Sequence, residues 1–167
     1  MADSAYDIRN ELLETLEYQR ASARAIVEGL SEELWHKPVV PSGWTVAGMV
    51  AHLGGAERHW FQGVIADADA GLPWDDGLPP YDPAMSFILE RPSADILGYY
   101  RAQTDRADEI LAGVSLSDTA RGRHAGEERP YTVSEVVLHV IEETAAHTGH
   151  LEIARELLDG QTGLGLR

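Results

Sequence analysis

YTVSEVVLHVIEETAAHTGHLEIARELLDG, residues 131–160, carries a helix start, a helix stop and a polar stripe where a core stripe belongs. Thr132 is placed to cap the helix, with Glu135 three residues on to complete a capping box. Gly160 falls where a left-handed C-cap is expected. At about 100° per residue, with His139 as zero, Glu143 lies near ~40°, His147 near ~80° and His150 near ~20°. Four groups able to bind a metal or carry a proton therefore share one side of one helix. Val136, Val140, Ala146 and Ile153 lie close to that side, so the stripe is expected to face inward. A buried carboxylate beside imidazoles is costly without compensation, and a divalent metal would compensate it.

Working outward, residues 4–30 read as a first amphipathic helix, with Ile8, Leu12, Leu16, Ala23, Val27 and Leu30 at three- and four-residue spacing. Residues 31–35 fit one short helical turn. PVVPSG, residues 38–43, is a loop. A second helix is expected from Thr45 to about Asp69, with Val46, Met49, Val50, Leu53, Phe61, Val64 and Ile65 on its apolar side. His52 sits in its middle, and His59 lies two turns further on the same side. Residues 70–92 hold five of the eight prolines. A connection this long suits two consecutive helices that run parallel. Ser93 is placed to cap a third helix to about Leu111, with Ile96, Leu97, Tyr100, Ala107, Ile110 and Leu111 as apolar positions. Residues 113–131 form a second connector and carry Arg121, Arg123, His124 and Arg129. Four helices and no alternating strand predict an all-α four-helix bundle in a single domain over residues 1–167.

Composition narrows the function classes. A chain of 167 residues is long enough for one real core. It has no cysteine, which removes disulfides, thiolate zinc sites and cysteine nucleophiles together. No apolar run approaches a membrane span, and the first residues do not resemble a signal peptide. The expectation is a cytoplasmic protein with no membrane partner. A net charge of -15 argues against a nucleic-acid partner, because phosphate binding needs a basic face. There is no His-Glu-x-x-His, phosphate loop, dinucleotide glycine fingerprint or serine elbow. A small-molecule substrate remains.

Glu143 and His147 are an i, i+4 pair, the spacing at which two side chains converge on one ion. Such pairs are common on solvated faces. This one gains weight from its inward side, from His139 and His150 on that side, and from His52 on a second helix. Two ligands from one helix and one from a neighbour leave positions open for water or substrate, which is the catalytic pattern. Arg121, Arg123 and Arg129 read first as solvated charges, and alternatively as a grip on an anionic substrate. Without a metal, the same stripe would be a polar network satisfied by hydrogen bonds.

Trp44-Thr45-Val46 with His52-Leu53, and Glu143-x-x-x-His147-x-Gly149-His150 in the last helix, resemble the DinB/YfiT-like superfamily of metalloenzymes. The ending from His147 to Gly160 is similar to the signature of the mini-circle protein family, an actinobacterial group of unknown function. The His-Glu-His arrangement looks like the mycothiol-dependent maleylpyruvate isomerase branch. The resemblance covers nearly the whole chain. It implies an up-down-down-up bundle with long connections after the second and third helices. It implies a divalent metal, zinc or nickel, on His52, Glu143 and His147, with His139 and His150 as catalytic or ligand-orienting groups. It further implies a homodimer and a low-molecular-weight thiol of the mycothiol type as cosubstrate. The function to be expected is a thiol-dependent S-transferase or isomerase acting through a metal-bound thiolate. The alternatives are a hydrolase using metal-bound water and a non-catalytic metal-binding, stress-related protein.

Overall fold

Leu12, Leu16, Arg20, Ala23 and Val27 keep the helical spacing of a buried face, and the first helix, α1, runs Ile8–Val27. The computed structural model describes residues 8–68, 91–124, 126 and 129–165. A single turn, α2 (Glu32–Trp35), follows and buries Trp35. The next helix, α3 (Val46–Glu57), starts at Thr45, whose hydroxyl accepts the Gly48 N–H. It does not continue as the α-helix expected to about Asp69. At Arg58 the chain widens into a π-helical segment, Arg58–Ile65. The third long helix, α4, is Ser93–Ala112, and the last, α5, is Val133–Asp159. The 70–92 connection lies almost entirely outside the described residues.

The end signals of α5 are those read from the sequence. The Thr132 hydroxyl accepts the Glu135 N–H, the Glu135 carboxylate accepts the Thr132 N–H, and Gly160 ends the helix with a left-handed φ of 76°. Ser93 departs from expectation. Pro92 holds the capping position and Ser93 is the first helical residue, because its N–H and hydroxyl are donated to the Glu32 carboxylate of α2.

Side-chain contacts fix the helix directions. Gln62 donates to Gln103 at 2.6 Å, and a Cβ on Gly54 would strike the Tyr99 ring. The numbering rises together along both helices, so α3 and α4 run parallel. Arg20 reaches Glu57 and Asp108, whereas Arg9 reaches the carbonyl of Val114, so α1 opposes both. Leu16 packs among Val133, Val136, Val137 and Val140, and Arg155 donates to the carbonyls of Ile26 and Glu28, so α5 runs with α1. The order is up-down-down-up. Among the described residues the extended backbone amounts to one antiparallel bridge, Thr119 to Thr132.

Among the described residues Arg20, Glu57 and Arg155 are buried charges that were not anticipated. The Arg20 guanidinium grips Glu57 with two hydrogen bonds, 2.8 and 2.6 Å, and Asp108 with one at 2.7 Å. The Arg20 and Glu57 side chains are each 1% exposed. Burial opposes the charge on Arg20, but the hydrogen bonds and charges of Glu57 and Asp108 outweigh it and raise its pKa. Burial pushes the Glu57 carboxyl up against the pull of Arg20. The fork-to-fork geometry, with both oxygens accepting, is that of an ionised carboxylate. Elsewhere the α5 face turns outward sooner than expected: Val136 and Val140 are buried, but Ala146 is exposed and Ile153 is 57% exposed. Ile8, read as an apolar position of α1, is also exposed.

Glu57→Ala leaves a guanidinium buried with only the exposed Asp108 and, at 3.8 Å, Glu17 to meet it. It is expected to cost about 3–5 kcal/mol of unfolding free energy in urea melts, and Arg20→Met with Glu57→Leu to recover most of that loss. A cost no larger than that of a surface substitution would show that the pair does not hold the bundle.

Candidate metal centre

The His52 side chain comes from the middle of α3, at 7% exposure, and faces α5. On α5, Glu143 and His147 are one turn apart and point back towards it. One carboxylate oxygen, Glu143 Oε1, lies 2.8 Å from His52 Nε2 and 3.2 Å from His147 Nε2. The two imidazole rings meet edge to face, with centroids 4.9 Å apart. Hydrogen bonds from His147 and His52 hold the Glu143 carboxyl well below the usual carboxylate range, overcoming its partial burial. The site is thus built around an ionised carboxylate with two imidazoles against one oxygen.

This set fits a divalent ion. Ligand atoms bound tetrahedrally at about 2.0–2.1 Å stand roughly 3.3 Å from one another. The two nitrogens already stand at close to that distance from the carboxylate oxygen, and all three ligand atoms lie within 4.8 Å of one another. Two imidazoles and a carboxylate are a donor set for zinc or another borderline transition metal. Among the described residues, no other histidine or acidic group joins the set, so the arrangement is the three-ligand, open kind. His52, Glu143 and His147, as read from the sequence, are therefore brought together.

The two further histidines of the α5 stripe separate. His150 is exposed, and its Nδ1 lies 3.2 Å from His147 Nδ1. A ligand histidine whose second nitrogen is hydrogen-bonded has its tautomer and ring plane fixed, and His150 is placed to do this for His147. His139 is one turn before Glu143 and packs on the Trp60 indole, with centroids 4.3 Å apart. Glu142 is exposed, as expected. Arg129 is not a free cation at a mouth: it binds the Glu135 carboxylate at 2.5 and 3.0 Å. Arg121 and Arg123 are exposed.

Sequence reasoning missed one pairing. His59 does not continue the His52 side: it is exposed, and its Nε2 lies 2.8 Å from Nδ1 of His124 in the second connector. No spacing rule joins residues 65 positions apart, and the π-helical turn that reorients His59 has no reliable sequence signature.

Metal-free protein is expected to take up about one zinc or nickel ion per chain at this centre and to lose it in His147→Ala, with helix content unchanged. Elemental analysis after dialysis, with circular dichroism on the same sample, checks this. Full occupancy in that variant would rule out the ligand set.

Two solved structures share the fold of this chain. A conserved protein from Enterococcus faecalis superposes with a TM-score of 0.73 at 14% identity, covering 94% of this chain and all of the other. YfiT from Bacillus subtilis, described as "a probable metal-dependent hydrolase with an unusual four-helix bundle topology", superposes with a TM-score of 0.67 at 16% identity, covering 93% and 90%. At these identities the likeness establishes the fold. No curated protein matches the chain. The family model for mycothiol-S-transferase matches residues 11–160, both histidine-bearing helices included. The chain belongs to the mycothiol-S-transferase family, within the DinB/YfiT-like superfamily.

Proposed function

We propose that this protein is a divalent-metal-dependent S-transferase that joins the sulfur of a low-molecular-weight thiol of the mycothiol type to an electrophilic small molecule. The observation that carries this reading is the open set of His52, Glu143 and His147 in a chain of this family. A divalent ion held there lowers the pKa of a bound thiol, so that the thiolate is available at neutral pH. The chain has no cysteine, which is compatible with a sulfur taken from a cosubstrate.

The chain's own residues have separable tasks. His52 and His147 present Nε2 from two antiparallel helices and set the width of the site. Glu143 supplies the negative charge that binds the ion. His150, exposed and hydrogen-bonded to His147, orients that ring and would accept the thiol proton before the sulfur–carbon bond forms, the electrophile's leaving group then departing with its bonding electrons. His139 stays on Trp60 and forms part of the wall beside the site.

The test is a thiol-conjugation assay with mycothiol and a bimane electrophile on zinc- or nickel-loaded protein. Conjugate formation is expected to require both metal and thiol. His150→Ala is expected to keep its metal and lose about 10–100-fold in rate. Turnover of an ester or amide with no thiol present, together with no conjugation, would overturn the reading in favour of a hydrolase.

We also propose a homodimer. Leu138, Ile153 and Leu157 are 52%, 57% and 61% exposed on α5 and fall within an arc of about 100°. Light scattering is expected to give twice the chain mass, and Leu157→Glu to reduce it. A monomeric wild type would remove this claim without touching the site.

A further inference from the structure

Every histidine of the chain except His36 gathers along the inner and mouth side of α3, α5 and the second connector, but they form two groups and not one. The three-ligand centre with His150 is the first. His59, His124 and His139, arranged around Trp60, are the second. Trp60 is buried, at 7% exposure. The His124 ring is stacked on it with 20° between planes and 4.9 Å between centroids, and the His59 ring stands edge-on to both. His124 is held there by main-chain clips just before it. The N–H of Arg121 donates to the Ile65 carbonyl at 3.1 Å, and that of Gly122 to the Val64 carbonyl at 2.9 Å. Both carbonyls belong to the end of the π-helical segment.

We propose that His59 and His124 form a second site, for one divalent transition-metal ion. Their facing nitrogens, Nε2 and Nδ1, are 2.8 Å apart. The two nitrogens now share a hydrogen bond, and a bound ion would replace its proton: ligand nitrogens on one ion stand roughly 2.8–3.3 Å apart, so little movement of the rings is needed. The rings are pre-oriented by the indole and by the clipped connector, so little ordering remains to be done on binding. Burial, with His124 and His139 as neighbours, lowers the His59 pKa and favours the neutral ring that a ligand must be. Water completes the coordination, since His59 is exposed. The residues are distinct from the first centre: neither His59 nor His124 belongs to the His52, Glu143 and His147 set.

The experiment is equilibrium dialysis of the metal-free full-length chain against Cu(II) buffered with glycine, with electron paramagnetic resonance on the loaded samples. Wild type is expected to hold about two ions per chain. The His59→Gln, His124→Gln double variant is expected to hold one, with an unchanged melting temperature because His59 is on the surface and His124 only part-buried. Glu143→Ala is expected to lose the other ion and keep a tetragonal signal with nitrogen coupling. Two ions on the double variant, or one ion on wild type that the double variant retains, overturns the proposal, as does loss of the second ion in His36→Gln instead. Two ions retained by Glu143→Ala would count against the first centre and not against this one.

Discussion

The Arg20–Glu57 pair is the constraint on which the rest of the arrangement depends. It joins α1 to the last residue of α3 and, through Asp108, to α4. Glu57 is also the last α-helical residue before the wider π-helical turns. A buried carboxylate tolerates only a small displacement from its guanidinium, so the point at which the helix changes pitch is pinned against α1. Before it, in α-helical register, His52 faces α5. Everything after it is rotated, which turns His59 away from the His52 line and buries Trp60 and Phe61. Insertion of a π turn beside functional groups is a recurring device, and here the charge pair holds it in place.

Much of the fold was legible, for reasons particular to each element. The ends of α5 were readable because a capping box and a left-handed glycine are local chemistry that needs no partner helix. The parallel pairing of α3 and α4 was readable from the length and proline content of the segment between them. The convergence of Glu143 and His147 was readable from the i, i+4 rule, whereas an inward histidine such as His52 is more often a hydrogen-bonded core residue, and it was the family resemblance that joined it to them. The π turn was not readable, since the sequence of Arg58–Ile65 satisfies an α-helical pattern equally well. The buried charges left a faint trace. Arg20 stands in the stripe Leu16, Arg20, Ala23, Val27, and Glu57 stands between Leu53 and Phe61. Two opposite charges at inward positions of neighbouring helices are the signature that was passed over. Arg155, buried against the carbonyls at the end of α1, gives no such hint, because its partners are main-chain atoms.

The glutamate among the ligands has an electrostatic meaning. With a divalent ion, two neutral imidazoles and one carboxylate leave a centre of net charge about +1, where three imidazoles would leave +2. The low proton affinity of Glu143, set by the two imidazoles that face it, makes the carboxylate available in the ionised form this account requires.

The clipping of the second connector has a mechanical consequence. Its N–H groups at Arg121 and Gly122 satisfy the carbonyls that end the π-helical segment, and Gly122 lies so close to that backbone that a Cβ there would sit 2.2 Å from the Gly63 oxygen. The connector and the second half of the α3 rod therefore behave as one solid wall. Moving one against the other would break two main-chain hydrogen bonds, so the spacing of His59, Trp60 and His124 is set by backbone and not by side-chain packing alone.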